Sequence, residues 1–228
     1  MRKNVKPIAY ICTDYIDKFG IPRQSGLVPE TVARIVFVPE YRREEAFRGL
    51  DGYSHIWLIW EFSESKLEEW HPTVRPPRLG GNRRMGVFAT RSPFRPNPIG
   101  LSSVRLLKID TDSPDSPALI VAGADLLDGT PIYDVKPYLP TFDCHTDAVG
   151  GFSEEAPERS LRVIADDDIM RELPPEKRDA LLGVLACDPR PSYQHDPERM
   201  YGFGFAGFEI KFRVDGDVLT VISASRRE

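Results

Sequence analysis

The stretch that most restricts the possible folds of this chain is Arg91-Ser92-Pro93-Phe94-Arg95-Pro96-Asn97-Pro98-Ile99-Gly100-Leu101-Ser102. Its three prolines remove three backbone donors and fix φ, which bars the run from a helix interior or a central strand. A stiff loop is the form left to it. Charge is concentrated at the same place. Residues 75 to 95 hold six arginines (75, 78, 83, 84, 91, 95) and neither a carboxylate nor a lysine. The formal charge of the chain is −5, so these six positive charges leave −11 for everything else. Guanidinium groups offer forked donors suited to phosphates and carboxylates, and they lie flat on nucleobases. A stiff loop presents such groups at a lower entropic cost than a flexible one.

The 228 residues are 41% hydrophobic, enough for one large domain or one of about 150 residues with a smaller companion. No run of 18 apolar residues occurs, and Met1-Arg2-Lys3-Asn4-Val5-Lys6-Pro7 carries no signal-peptide core, so a cytoplasmic location without membrane attachment is expected. Cys12, Cys144 and Cys187 are far apart, and His55, His71, His145 and His195 lack ligand spacing. Neither a disulfide framework nor a metal is expected.

Along the chain, strands are predicted at 8–13, 31–38, 53–62, 86–90, 101–110 and 118–126, with a further extended stretch at 131–140. The apolar run from Tyr53 to Phe62 reads as a central strand buried on both faces. Among them only Glu40–Leu50 reads as a helix, opened by Pro39 and ended by Asp51-Gly52. Many strands at short spacing predict a mainly β fold, an antiparallel barrel or sandwich. Residues 147–158 read as a linker. Beyond them come a strand at 160–165, a helix from Pro175 to about Cys187 with Leu181, Leu182, Val184 and Leu185 buried, and a hairpin of 208–214 with 218–222. The expected organisation is a barrel domain at 1–146, the linker, and a small C-terminal α+β domain at 159–228.

Gly202-Phe203-Gly204-Phe205-Ala206-Gly207 spells a dinucleotide-binding pattern. It precedes a period-2 strand instead of a helix, so it reads as a glycine lead-in to the hairpin. Asp125 and Asp128, in Asp125-Leu126-Leu127-Asp128-Gly129-Thr130-Pro131, taken alone read as turn residues before they read as a ligand-binding pair. Together with the arginine loop and the Pro22–Leu27 loop, they could form a cleft for a small zwitterion with a ribose: carboxylates for hydroxyls or an ammonium, an arginine for a carboxylate.

A resemblance sharpens this picture. Phe19-Gly20-Ile21-Pro22-Arg23-Gln24, Phe47-Arg48-Gly49-Leu50, Ser54-His55-Ile56-Trp57, Arg75-Pro76-Pro77-Arg78-Leu79-Gly80-Gly81-Asn82, the run from Gly86 to Gly100, Asp128-Gly129-Thr130-Pro131 and Asp134–Pro140 together resemble the TsaA/TrmO family over about residues 7 to 145. Asp188-Pro189-Arg190-Pro191-Ser192-Tyr193 is a weaker C-terminal echo. The resemblance implies a non-Rossmann β-barrel that binds S-adenosyl-L-methionine and methylates N6 of threonylcarbamoyladenosine beside the tRNA anticodon, as a homodimer. It places the cofactor on Gln24, Ser25, Gly26, Ser63, Glu64, Arg91, Leu101, Asp125, Leu126, Leu127 and Asp128. Asp128 is also the expected proton acceptor, ahead of Asp134, His55 and His145, while Arg83, Arg84 and Arg95 are expected to meet tRNA. The chain departs from the family pattern at Cys12-Thr13-Asp14, where Arg-Ser-Pro is usual, and at Ser25, often Pro. A noncatalytic RNA-binding barrel and a methyltransferase of the same fold acting on a small metabolite stay open as alternatives.

Overall fold

The computed structural model describes residues 5–65, 70–76, 83–154, 160–190, 194 and 196–227. Pro77–Asn82 of the arginine segment, Pro191-Ser192-Tyr193 and His195 lie outside the described residues. Six strands close into an antiparallel barrel: β1 (Ala9–Cys12), β2 (Val32–Phe37), β3 (His55–Glu61), β6 (Ile99–Asp110), β7 (Ala118–Ala122) and β8 (Pro131–Pro137). Their order is β1-β2-β7-β6-β3-β8, and β8 returns to pair with β1 at Ala9↔Ile132 and Tyr10↔Pro131. The interior is filled by inward-facing positions of each strand, among them Ile11, Ile35, Ile56, Leu58, Val104, Leu119, Val121 and Ile132. A small ribbon, β4 (Thr73–Val74) with β5 (Met85–Gly86), stands apart from the barrel sheet.

Residues from 160 onward build a second sheet, ordered β10 (Tyr201–Phe205), β11 (Phe208–Asp215), β12 (Val218–Arg226) and β9 (Arg162–Ile164), the last parallel to β12. Three α-helices are present among the described residues: α1 (Pro140–Asp143), α2 (Asp167–Arg171) and α3 (Pro175–Ala186). On α3 the buried residues are Ala180, Leu181, Val184 and Leu185, while Leu182 is only half-buried. The core of this second unit also takes Tyr15 and Val28 from the loop between β1 and β2. That loop is stitched to α3 and to β10: Lys177 of α3 pairs with Asp14 at 2.6 Å, and Gly204 N–H of β10 donates to Asp17. Gly20 sits at φ +95°, and a Cβ there would lie 2.4 Å from the Phe203 ring, so the glycine is what lets the loop lie against β10.

Several expectations are corrected. Glu40–Leu50 is not one continuous α-helix but three short 3-10 turns, Pro39–Tyr41, Glu44–Phe47 and Leu50–Gly52, broken by extended Arg43 and left-handed Gly49. The cause is tertiary: Phe47 plugs the barrel end edge-on against Phe37 at 4.8 Å, with Tyr41 and Leu50 beside it, and three anchors at spacings of six and three do not lie on one helical stripe. In the 86–90 stretch only Met85–Gly86 is strand, and Val87–Ala89 is a turn with Val87 buried beneath it. β3 alternates, burying Ile56, Leu58 and Trp60 and leaving His55, Trp57, Ile59 and Glu61 on the outer wall. The glycine-rich stretch is itself strand β10, with the turn at Ala206-Gly207. Within the expected linker, Gly151–Ser153 forms a turn and residues 149–153 face the cleft described next.

Candidate functional site

One mouth of the barrel opens into a cleft of about 1970 Å³, walled by the β1–β2 loop, residues 62–65 after β3, the β4–β5 ribbon, the proline–arginine loop, the start of β6, the β7–β8 connection and residues 149–153. The proline–arginine loop is held by its own short-range bonds. Thr90 N–H and hydroxyl reach the Val87 carbonyl, Arg95 Nη1 donates to Thr90 O at 3.1 Å, and Phe62 N–H donates to Pro98 O at 2.8 Å. Stiffness read from prolines is thus reinforced by hydrogen bonds that pin both ends.

At the base of the cleft lies Asp125. Trp60, buried in the barrel, donates its Nε1–H to Ser102 Oγ at 3.0 Å, so the serine's single proton points on to Asp125 Oδ1 at 2.6 Å. The strand register explains the meeting: Trp60 faces Gly100 across β3 and β6, and Ser102 follows two residues on, on the same inward face. Burial pushes the Asp125 carboxyl upward, opposed by the Ser102 hydroxyl, by backbone N–H groups including that of Ser25, and by the charge of Arg91. A second carboxylate of the cleft, Glu61, accepts the hydroxyl of Tyr133, whose own pKa burial and this bond push up to about 12.

Of the cofactor positions expected from sequence, Gln24, Ser63, Glu64, Arg91, Leu101, Asp125 and Leu127 line this cleft, and Arg91 is hydrogen-bonded to Gln24. Ser25 lines a smaller adjoining cavity. Gly26 and Leu126 line neither: Gly26 N–H binds Gly123 O at 2.8 Å, and Leu126 points into the barrel core. Asp128 also lines neither, because its carboxylate accepts Thr13 N–H at 2.8 Å and its own N–H donates to Tyr15 O. It ties down the β1–β2 loop. Asp134 is occupied by Lys136 at 2.8 Å. Among the arginines, Arg84 and Arg95 line the cleft together with Arg75, whereas Arg83 is exposed beside it. Six basic side chains, Lys18, Arg23, Arg75, Arg84, Arg91 and Arg95, face three acids, Glu61, Glu64 and Asp125, across the lining.

The smaller cavity, of about 460 Å³, is walled by Ser25, His55, Trp57, Arg91, Leu101, Ser103 and Tyr138, so it shares Arg91 and Leu101 with the cleft. Trp57, Tyr138 and Ser102 had no place in the sequence-based site. The available signal was the unbroken apolar run of β3, whose alternate residues must face outward once the sheet closes. No group of three or more His, Cys, Asp or Glu side chains is placed to hold a metal among the described residues.

Comparison with known proteins fits this architecture at both ends. Residues 10–144 match the tRNA-methyltransferase O N-terminal domain, and residues 158–227 match the TrmO C-terminal domain. The chain belongs to the TrmO family. It is 41% identical over 215 residues to the tRNA (adenine(37)-N6)-methyltransferase of Escherichia coli K12, covering 91% of each chain. To the Eikenella corrodens protein of the same name it is 47% identical over 163 residues, 72% of this chain and 92% of that one. A crystal structure of TrmO from Pseudomonas aeruginosa superposes with a TM-score of 0.81 at 31% identity, covering 99% of both chains. The TrmO-family barrel therefore replaces the strand–helix alternation of dinucleotide folds, as the run of closely spaced strands implied.

Proposed function

We propose that this chain is an S-adenosyl-L-methionine-dependent methyltransferase acting on N6 of adenosine 37 of tRNA, with threonylcarbamoyladenosine as the acceptor. The observation that carries the reading is a cationic cleft with one half-buried carboxylate at its base, in a chain whose relatives are named for this reaction. The donor set suits the cofactor: Asp125 and Glu64 for an ammonium or ribose hydroxyls, Arg91 for a carboxylate, Leu101 and Leu127 for apolar contact. When bound, the cofactor supplies an electrophilic methyl group on a sulfonium. The protein's part is mainly to align the acceptor nitrogen and exclude water. A carbamoyl group withdraws the lone pair of that nitrogen, so a proton acceptor nearby would help. Of Asp128, Asp134, His55 and His145, only His55 lines either cavity, which favours it over Asp128. Arg84 and Arg95, with Arg83 beside them, suit tRNA phosphates. A homodimer would double this face, and substrates of this kind place the protein in the cytoplasm; no described helix is long and apolar enough to cross a membrane. The split into a barrel domain, a linker at 147–158 and a C-terminal domain from 159 belongs to the same reading.

The test is transfer of labelled methyl from the cofactor to tRNA with and without the threonylcarbamoyl group, read by nucleoside mass spectrometry. Label on adenosine 37 of the modified tRNA alone is expected. Binding of tRNA with no transfer would mean a noncatalytic barrel, and transfer independent of tRNA would mean a small-metabolite enzyme.

A further inference from the structure

We infer that the 460 Å³ cavity is the acceptor pocket, taking the extruded adenine with its carboxylate-bearing N6 substituent while the larger cleft holds the methyl donor. This rests on the proposed function and assigns a place to its second substrate.

Three observations carry it. Methyl transfer needs donor and acceptor in contact, and the two cavities meet along Arg91 and Leu101. Their charges divide in the right sense. The cleft contains, among its basic groups, the carboxylates Glu61, Glu64 and Asp125 that a sulfonium and an ammonium require, whereas the small cavity has no acid in its lining to repel the carboxylate of the acceptor's N6 substituent. Lastly, its wall is aromatic and fixed in advance. Trp57 and Tyr138 stand 5.5 Å apart between ring centroids, and His55 stands 6.3 Å from Tyr138. Asp143 Oδ2 holds the Trp57 indole N–H at 2.9 Å and the Leu139 N–H at 2.8 Å, and Tyr138 N–H donates to His55 O at 3.0 Å. A planar base stacks on such a surface, and an enzyme acting on a base exocyclic nitrogen must draw that base out of its neighbours' stack. The volume falls within the range of about 300–1,000 Å³ usual for small-molecule sites.

The experiment titrates the full chain, saturated with S-adenosylhomocysteine, with free N6-threonylcarbamoyladenosine and with adenosine, following tryptophan fluorescence. The carboxylated nucleoside should quench at lower concentration than adenosine, and Trp57→Phe should abolish the quench although Trp60 and Trp70 remain. Tyr138→Ala should lower kcat/KM for modified tRNA about tenfold to a hundredfold, the worth of one base stacked on an aromatic ring, with the S-adenosylhomocysteine affinity unchanged. Absence of quench in the wild type at millimolar nucleoside, quench that survives Trp57→Phe, or a folded Tyr138→Ala with unaltered kcat/KM would each overturn the assignment. So would Trp57→Phe or Tyr138→Ala turning a dimer into a monomer, which would make this wall a subunit interface. Failure of the wild type to methylate any tRNA would instead strike the proposed function, because the nucleoside titration needs no turnover.

Discussion

Gly100→Ala should damage both the barrel and its site, although it adds one methyl group. A Cβ at Gly100 would lie 2.2 Å from Cε2 and 2.4 Å from Cζ2 of Trp60, so the indole must retreat by about 1.2 Å to reach ordinary contact at 3.4 Å. That retreat is away from β6, the strand that also carries Ser102, so the 3.0 Å bond from Trp60 to Ser102 is lost with it. Trp60 is only 7% exposed and has Phe62 4.3 Å away between ring centroids, which leaves the ring little room. Overpacking of this kind costs about 1–3 kcal/mol, and the hydrogen bond adds about 1 kcal/mol, for a total of about 2–4 kcal/mol. Ser102, no longer fixed by Trp60, also ceases to orient Asp125. Urea denaturation should show the stability loss, and calorimetry should show weaker cofactor binding than that loss explains. Gly86→Ala is the matched control: it stands at φ −58° with open space around its would-be Cβ, and should change stability by less than about 0.5 kcal/mol. A Gly100→Ala protein as stable as wild type, with unaltered cofactor affinity, would refute the role given to the glycine and to the Trp60–Ser102–Asp125 chain.

Asp125→Asn should raise the melting temperature at pH 7 while weakening cofactor binding. The carboxyl is held above its ordinary range by burial, so its ionised form costs native stability. The neutral native form is favoured below the unfolded value of about 3.9, and that advantage disappears as pH rises through the raised native value. The stability gap between variant and wild type should therefore be present at pH 7 and close near pH 4; a gap independent of pH would contradict this. Arg83→Ala with Arg84→Ala should weaken tRNA binding and reduce the log–log salt slope by roughly one for each phosphate no longer neutralised, leaving cofactor affinity unchanged. Solvated arginines that meet no phosphate would leave the salt slope as it was.

The sequence alone determined the features that local chemistry enforces. Prolines at 93, 96 and 98 made a stiff loop wherever the chain went, and strand-type runs at short spacing with turn residues between them left a barrel or sandwich as the economical way to bury their apolar faces. The family-like motifs single out Gln24, Arg91 and Asp125 as candidates for one site, and the three share one cleft. Tertiary structure decided what depends on partners distant in the chain. Glu40–Leu50 has helical composition, yet Phe47 is worth more in the barrel end than in a helix stripe, and the stretch forms short 3-10 turns in place of one α-helix. Asp128 and Asp125 look interchangeable in sequence, but one caps Thr13 and the other lies at the base of the cleft. Gly20 and Gly100 read as loop and strand glycines until Phe203 and Trp60 are seen to fill the space a side chain would need. Closure of the sheet also turned the unbroken apolar run of β3 into an inner and an outer face, and the outer one supplies Trp57 to a pocket. In each case periodicity records which residues avoid water, while the choice between core, cleft and pocket is made by elements tens of residues away.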